Sequence, residues 1–237
     1  SVLPAGSMHL WRGQYRANLN INQLKQSLSV NECARADAFV RPLHHDRYVY
    51  AHAFLRQVLA YYLQDCAEDI VFAVSEDPVR VKPSLCLSRH EPIHFNLSHS
   101  GDEVLVGVSR EPDVGVDVEF LREGVDVMAL AERFFADKEV DGIKKMPDDD
   151  RLSAFTQCWT MKEAVVKAIG QGLSYSLRDF EVDFSSLCWQ TLPVIVDGRD
   201  VCLSLRSLAW PGPYCAAVAV RALQVSISCY DGRFILK

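Results

Sequence analysis

Residues 114–119 read Val-Gly-Val-Asp-Val-Glu, and the folding of this stretch decides the rest. Its strict alternation predicts a β-strand with Val114, Val116 and Val118 on one face and Gly115, Asp117 and Glu119 on the other. Valine favours a strand, whereas two carboxylates inside a core-like run cost stability unless solvent or a cation meets them. An edge strand with a wet face meets that requirement, and so does a cation site. The Glu111-Pro112-Asp113 break just before the strand marks a boundary. Two subdomains are expected, residues 1–110 and 111–237, the second carrying the strand.

Working outward, the upstream half opens with Ser29-Val30-Asn31-Glu32, a capping-box pattern that leads into a helix to about Phe39. Pro42 is expected to stop it. Ala51, Leu55, Val58, Leu59 and Tyr62 then recur at helical spacing and predict a long amphipathic helix over 46–64, with Arg47 and Arg56 on its other face. Residues 93–97 and 103–109 read as strands around a turn Ser98-His99-Ser100-Gly101. Downstream, helices are expected over 126–135, 138–145 and 151–169, the last ended by Gly170 and Gly172. Strands follow at 194–196, 201–205 and 214–220. Each half is therefore helices plus an antiparallel sheet, an α+β fold that reads as a duplicated unit.

Composition narrows the function. A length of 237 residues suffices for a core without crosslinks. The eight cysteines include no CxxC pair, which fits reduced thiols in a cytoplasmic protein. A formal charge of −6 argues against a surface built for nucleic acid. No apolar run approaches the ~20 residues of a membrane span, and no basic segment followed by an apolar signal core is present.

Chemistry concentrates in a few places. In Trp159-Thr160-Met161-Lys162-Glu163-Ala164-Val165-Val166-Lys167-Ala168, Glu163 and Lys167 share a helix face at i and i+4, with Lys162 adjacent. They form either a surface ion pair or, because the surrounding helix is apolar, part of a cleft. A third carboxylate facing Asp117 and Glu119 would complete an all-oxygen site for a hard cation, with lysines beside it for phosphate. Ser98-His99-Ser100-Gly101 is an ordinary hairpin turn or a set of donors for an anion. Lys82-Pro83 alone says little. His90-Glu91-Pro92-Ile93-His94 matches the zinc-protease pattern, but Pro92 opposes the helix that pattern needs. Asp148-Asp149-Asp150 reads as a loop and helix start, and His44-His45 as exposed loop.

Taken in order, Lys82-Pro83, Phe95-Asn96-Leu97-Ser98-His99-Ser100, Gly115-Val116-Asp117-Val118-Glu119 and the block from Trp159 to Leu173 resemble the signatures of the surfactin-synthetase-type 4'-phosphopantetheinyl transferases. The resemblance spans about residues 29–220. Val81 departs from it, since the family usually has glycine before the Lys-Pro. The resemblance implies two similar α+β subdomains related by a pseudo-twofold, with coenzyme A in the cleft between them. The reaction it implies moves phosphopantetheine from coenzyme A to a serine of an apo acyl or peptidyl carrier protein, with Mg²⁺, releasing adenosine 3',5'-bisphosphate. A noncatalytic coenzyme A or carrier-binding module on the same fold is the alternative.

The implied metal ligands are Asp117, Glu119 and Glu163. Lys162 and Lys167 are expected beside the diphosphate, Lys167 stabilising or protonating the departing phosphate. Ser98 and His99, with Lys82, are expected on phosphate groups. Arg47 is expected at the 3'-phosphate or adenine end, with Arg35 and Arg41 as further candidates. The base that deprotonates the serine is left open between Glu163, Glu139 and a water. The carrier would dock by its acidic helix, and Met128, Leu130, Phe134 and Phe135 are either its apolar contact or core. Fatty-acid, polyketide and peptide-synthetase carriers all offer the same serine. A monomer is expected, because a duplicated fold supplies both walls of its own cleft.

Overall fold

A computed structural model describes residues 3–73, 82–86, 93–172, 175–222 and 225–232. The elements, in chain order, are β1 (Ser7–Gln14), α1 (Ile21–Lys25), α2 (Val30–Asp37), α3 (Pro42–Leu63), β2 (Phe72–Ala73), β3 (Ser84–Leu85), β4 (His94–Ser100) and β5 (Glu103–Ser109). There follow β6 (Gly115–Phe120), α4 (Val127–Phe134), α5 (Asp137–Lys144), α6 (Asp148–Ile169), β7 (Gln190–Val196), β8 (Arg199–Leu208), β9 (Tyr214–Val220) and β10 (Ser226–Asp231). The expected α+β class holds.

Two four-stranded sheets carry the architecture, in orders β10-β1-β5-β4 and β6-β9-β8-β7. Each has a 22-residue helix on one face, α3 on the first and α6 on the second. Their other faces meet. Met8, Leu10 and Leu105 of the first sheet share one buried cluster with Val114, Val116 and Val118 and with Ala216, Val218 and Val220 of the second. The valine face of β6 is therefore the joint between the halves, each valine contributing about 1.5–3 kcal/mol of burial. The opposite face of β6 lies under α6.

That helix approaches closely because of one residue. A Cβ at Gly115 would lie 2.0 Å from the carbonyl oxygen of Ala164 and 2.4 Å from the amide nitrogen of Ala168. Glycine removes the obstacle, and α6 rests on the β6 backbone. The room that glycine leaves beside the carboxylates is filled by helix.

Several expectations shift. Pro42 starts α3 at its first turn rather than stopping α2, since a missing N–H costs nothing there. Asp148, Asp149 and Asp150 form the first turn of α6, where carboxylates meet the helix dipole. The β4–β5 turn shrinks to Gly101-Asp102, with Gly101 at φ 57°, so Ser98, His99 and Ser100 lie in the strand. His90, Glu91 and Pro92 are outside the described residues; His94 opens β4.

The last strand departs most. β10 pairs with β1 in parallel, Ser7 opposite Ser226 through Arg12 opposite Asp231. Residues 226–231 therefore complete the first sheet and not the second, because β1 has an open edge to cover. With that correction, we propose residues 3–110 with 225–232 as one unit and 111–222 as the other.

Candidate active site

Strand alternation puts Asp117 and Glu119 on the α6 side of β6, and the 3.6-residue period of α6 puts Glu163 and Lys167 on the side facing β6. Asp117 is 2% exposed. Its Oδ1 accepts from Lys167 Nζ at 2.6 Å and from Ser98 Oγ at 2.8 Å. Its Oδ2 is buried with no partner. Lys167 also donates to Ser98 Oγ at 3.0 Å. Ser100 Oγ donates to Glu119 Oε2 at 2.7 Å.

The carboxylates repel one another. Burial raises the Glu119 pKa and the charge of Asp117 raises it further, against the Ser100 hydrogen bond and Lys167. Glu163 is raised by burial and by Asp117, with Lys167 opposing. Among the described residues no group of three His, Cys, Asp or Glu side chains is already gathered as a ligand set. Lys167 sits among the carboxylates and neutralises part of their charge.

Three cavities meet here. One of about 520 Å³ lies between the halves, walled by Arg47 and Tyr48 of α3, by His99 and Asp102, and by Phe120, Arg122 and Tyr214. A second, of about 260 Å³, shares Phe120 and Arg122 with it and adds Glu119, Leu130, Phe155 and Trp159. A third, of about 240 Å³, shares Trp159 with the second and adds Glu163, Arg133, Phe134, Tyr175 and Arg178. Glu119 and Glu163 thus border a trough that runs from a polar pocket to apolar ones.

The expected site residues divide. Asp117, Glu119, Glu163, Lys167 and Ser98 come together. Arg47 lines the largest of these three cavities, held by Asp102 through Nε at 2.8 Å and Nη2 at 2.7 Å. His99 lines the same cavity and is exposed to it. The enclosing protein, with the charges of His52 and Lys167, lowers its pKa, so the ring is neutral near pH 7. Arg35 is exposed, and its charge is felt at Tyr48. Arg41 caps α3 in solvent and lines none of the three cavities. Lys82 donates to the Val114 carbonyl at 2.5 Å, beside the start of β6, and burial lowers its pKa to about 8.

Lys162 and Glu139 need correcting. The Lys162 side chain is 0% exposed and its ammonium donates to the carbonyls of Leu177 at 2.7 Å and Phe180 at 2.6 Å, and to Glu139 Oε2 at 2.8 Å. All three N–H groups are committed, so none is left for a diphosphate. Glu139 is equally occupied, its Oε2 accepting from the Ala136 N–H and its Oε1 from the Val182 N–H. It braces α5 against the chain after α6 and cannot serve as the base. Phe135 is core at 0% exposure, while Leu130 and Phe134 reach the cavities.

Sequence reasoning missed Asp102, Arg122 and Tyr214, and it singled out Asn96 and Ser100 only as members of a turn, without their bonds to β6. Ser100 continues the i, i+2 alternation from Asn96 and Ser98, a signal hidden by reading the segment as a turn. Tyr214 enters only through the β6–β9 register, Phe120 opposite Tyr214, which no local pattern reveals.

Comparison with known proteins shows the family. Residues 113–219 match the family described as the 4'-phosphopantetheinyl transferase superfamily. The chain is 33% identical over 183 residues to the 4'-phosphopantetheinyl transferase HetI of Nostoc sp., covering 76% of each. It is 33% identical over 172 residues to the 4'-phosphopantetheinyl transferase psf-1 of Bacillus pumilus, covering 71% of this chain and 69% of that one. With the 4'-phosphopantetheinyl transferase Sfp of Bacillus subtilis it shares 32% identity over 128 residues, 54% of each chain. The chain belongs to the 4'-phosphopantetheinyl transferase superfamily. It is a transferase of that family, with the surfactin-type relatives among its matches.

Proposed function

We propose that this transferase moves 4'-phosphopantetheine from coenzyme A to a serine hydroxyl of an apo acyl or peptidyl carrier protein, releasing adenosine 3',5'-bisphosphate. The observation that carries the reading is the junction of Asp117, Glu119, Glu163 and Lys167 along a trough that opens from the cavity between the halves, in a chain of this family. The 520 Å³ cavity, with Arg47 and His99 on its walls, suits the nucleotide end. The apolar cavities beside Trp159 suit the pantetheine arm and the approaching carrier.

The carboxylates fit a divalent cation. Asp117 Oδ2 is a buried oxygen without a partner, and three mutually repelling carboxylates form an all-oxygen donor set of the kind Mg²⁺ takes with phosphate and water. Asp117, Glu119 and Glu163 would hold it. When bound, it supplies charge neutralisation for the diphosphate. Lys167, already at the carboxylates, is the cation placed to meet the departing phosphate and give it a proton. With Glu139 committed elsewhere, Glu163 and a water are the remaining candidates for the base. No described helix is long and apolar enough to cross a membrane. We place the protein in the cytoplasm as a monomer acting on carrier proteins, with no nucleic acid and no membrane involved.

The test is intact-mass analysis of an apo carrier protein incubated with the enzyme, coenzyme A and Mg²⁺, beside Glu163→Ala and a metal-free control. A gain of one phosphopantetheine, absent from both controls, supports the reading. Equal modification without divalent cation, or by Glu163→Ala, overturns the assigned site.

A further inference from the structure

We propose that Ser100 is a positioning residue for the transfer, holding Glu119 in place as the last rung of a side-chain ladder that joins the two halves. The inference rests on the reading of Asp117, Glu119 and Glu163 as cation ligands. β4 ends the first sheet and β6 ends the second. Each edge leaves backbone groups that need partners once the halves close on one another.

Side chains of β4 supply them. Asn96 Oδ1 accepts from the Val116 N–H at 2.9 Å, Ser98 Oγ from the Val118 N–H at 3.3 Å and Ser100 Oγ from the Phe120 N–H at 3.1 Å. Every second residue of one strand meets every second residue of the other, so two period-2 patterns run in register across the seam. Asn96, Ser98 and Ser100 are 8%, 5% and 5% exposed, so water does not substitute for the rungs.

The rungs differ in chemistry. The Asn96 oxygen only accepts. A serine hydroxyl accepts and still has its own proton to donate. Ser98 gives that proton to Asp117 Oδ1 at 2.8 Å, and Ser100 gives its proton to Glu119 Oε2 at 2.7 Å. Asp117 has Lys167 as a second donor on the same oxygen. Among the described residues Ser100 is the hydrogen-bond donor to Glu119. One oxygen of Glu119 is therefore tied to the seam and the other is left for the cleft. Ligand placement depends on the two halves being closed, because the hydroxyl that orients Glu119 also bridges to β6.

The experiment separates positioning from mere stability. Asn96→Ala removes a rung that touches no carboxylate. Ser100→Ala removes a rung and the Glu119 bond together, and Ser100→Cys keeps the volume with a weaker donor should the alanine variant not fold. For each, thermal unfolding is measured, then Mn²⁺ binding by electron paramagnetic resonance with coenzyme A present, then the Mg²⁺ dependence of carrier modification. The two alanine variants should lose similar stability, while Ser100→Ala alone weakens Mn²⁺ binding by about tenfold, the size of one charge-assisted hydrogen bond. Its half-saturating Mg²⁺ should rise in parallel. Mn²⁺ affinity in Ser100→Ala equal to that of Asn96→Ala overturns the proposal. If Glu119→Gln also binds Mn²⁺ like the wild type, the cation-site reading itself fails, and the two failures are distinguishable.

Discussion

Replacing Lys162 by methionine tests whether the Lys162–Glu139 pair is structure or catalyst. The ammonium is fully buried, donates to two carbonyls and to Glu139, and lies over the Phe180 ring at 4.4 Å from its centroid. Methionine keeps the stem but leaves Glu139 charged in the core and the Leu177 and Phe180 carbonyls without their donor. Removing one partner of a buried pair costs about 3–5 kcal/mol. In a chain of this size each kcal/mol lowers the melting temperature by about 2–4 °C, so a loss of roughly 6–20 °C is expected. The double variant Lys162→Met/Glu139→Gln removes the stranded charge and should recover part of it. Circular dichroism melting gives the stability, and carrier modification at a temperature where the variant is folded gives the activity. The rate per folded molecule should stay near wild type. An unchanged melting temperature with the rate lost would return Lys162 to the diphosphate and refute the structural assignment.

Three other outcomes follow from the same geometry. Gly115→Ala should fail to give soluble protein, because its Cβ meets helix backbone at 2.0 Å and neither strand nor helix can yield; a soluble variant with wild-type melting would contradict the close approach of α6. Glu119 and Glu163 have raised pKa values, so the native state holds extra protons above the ordinary carboxylate range. Without divalent cation, stability should fall as pH rises from about 4.5 through those raised values, and added Mg²⁺ should remove the slope; urea unfolding against pH, with and without Mg²⁺, reads this. Glu32 behaves oppositely. Burial alone would raise it, but hydrogen bonds from His52, Arg56 and Ser29 outweigh that and hold it down to about 2. Its contribution is present above about 4.5 and lost as pH falls towards about 2, and Glu32→Gln should flatten that acid limb.

Much of the site was legible in local sequence. The alternation of residues 114–119 placed Asp117 and Glu119 together on one strand face, and helical spacing placed Glu163 with Lys167. Both statements depend only on fixed backbone periods, which hold wherever the elements end up. The Ser29-Glu32 capping box and the Gly170 end of α6 were legible for the same reason, being satisfied within a few residues. Neighbouring positions misled where a residue type has two uses. Lys162 sits beside Glu163 in sequence, yet one step along a helix turns a side chain by about 100°. That turn took Lys162 into the core and left Glu163 at the cleft.

By itself, then, the sequence determined the longer helices, the strands beside the site and the family, though not β1, α1, β2, β3 or β10, since hydrophobic period and motif spacing are properties of a few consecutive turns or strand repeats. Only the tertiary structure decided which elements meet. It carried β10 across to the first sheet, set Tyr214 and Asp102 around the cavity with Arg47, and buried Lys162 against Glu139. It also brought the edge of β4 to the edge of β6, so that serines read as a turn became rungs between the halves. Those contacts join residues far apart in the chain, as in Ser7 opposite Ser226. Their selection rests on burying shared apolar faces and pairing open edges, which no local stretch of chain contains.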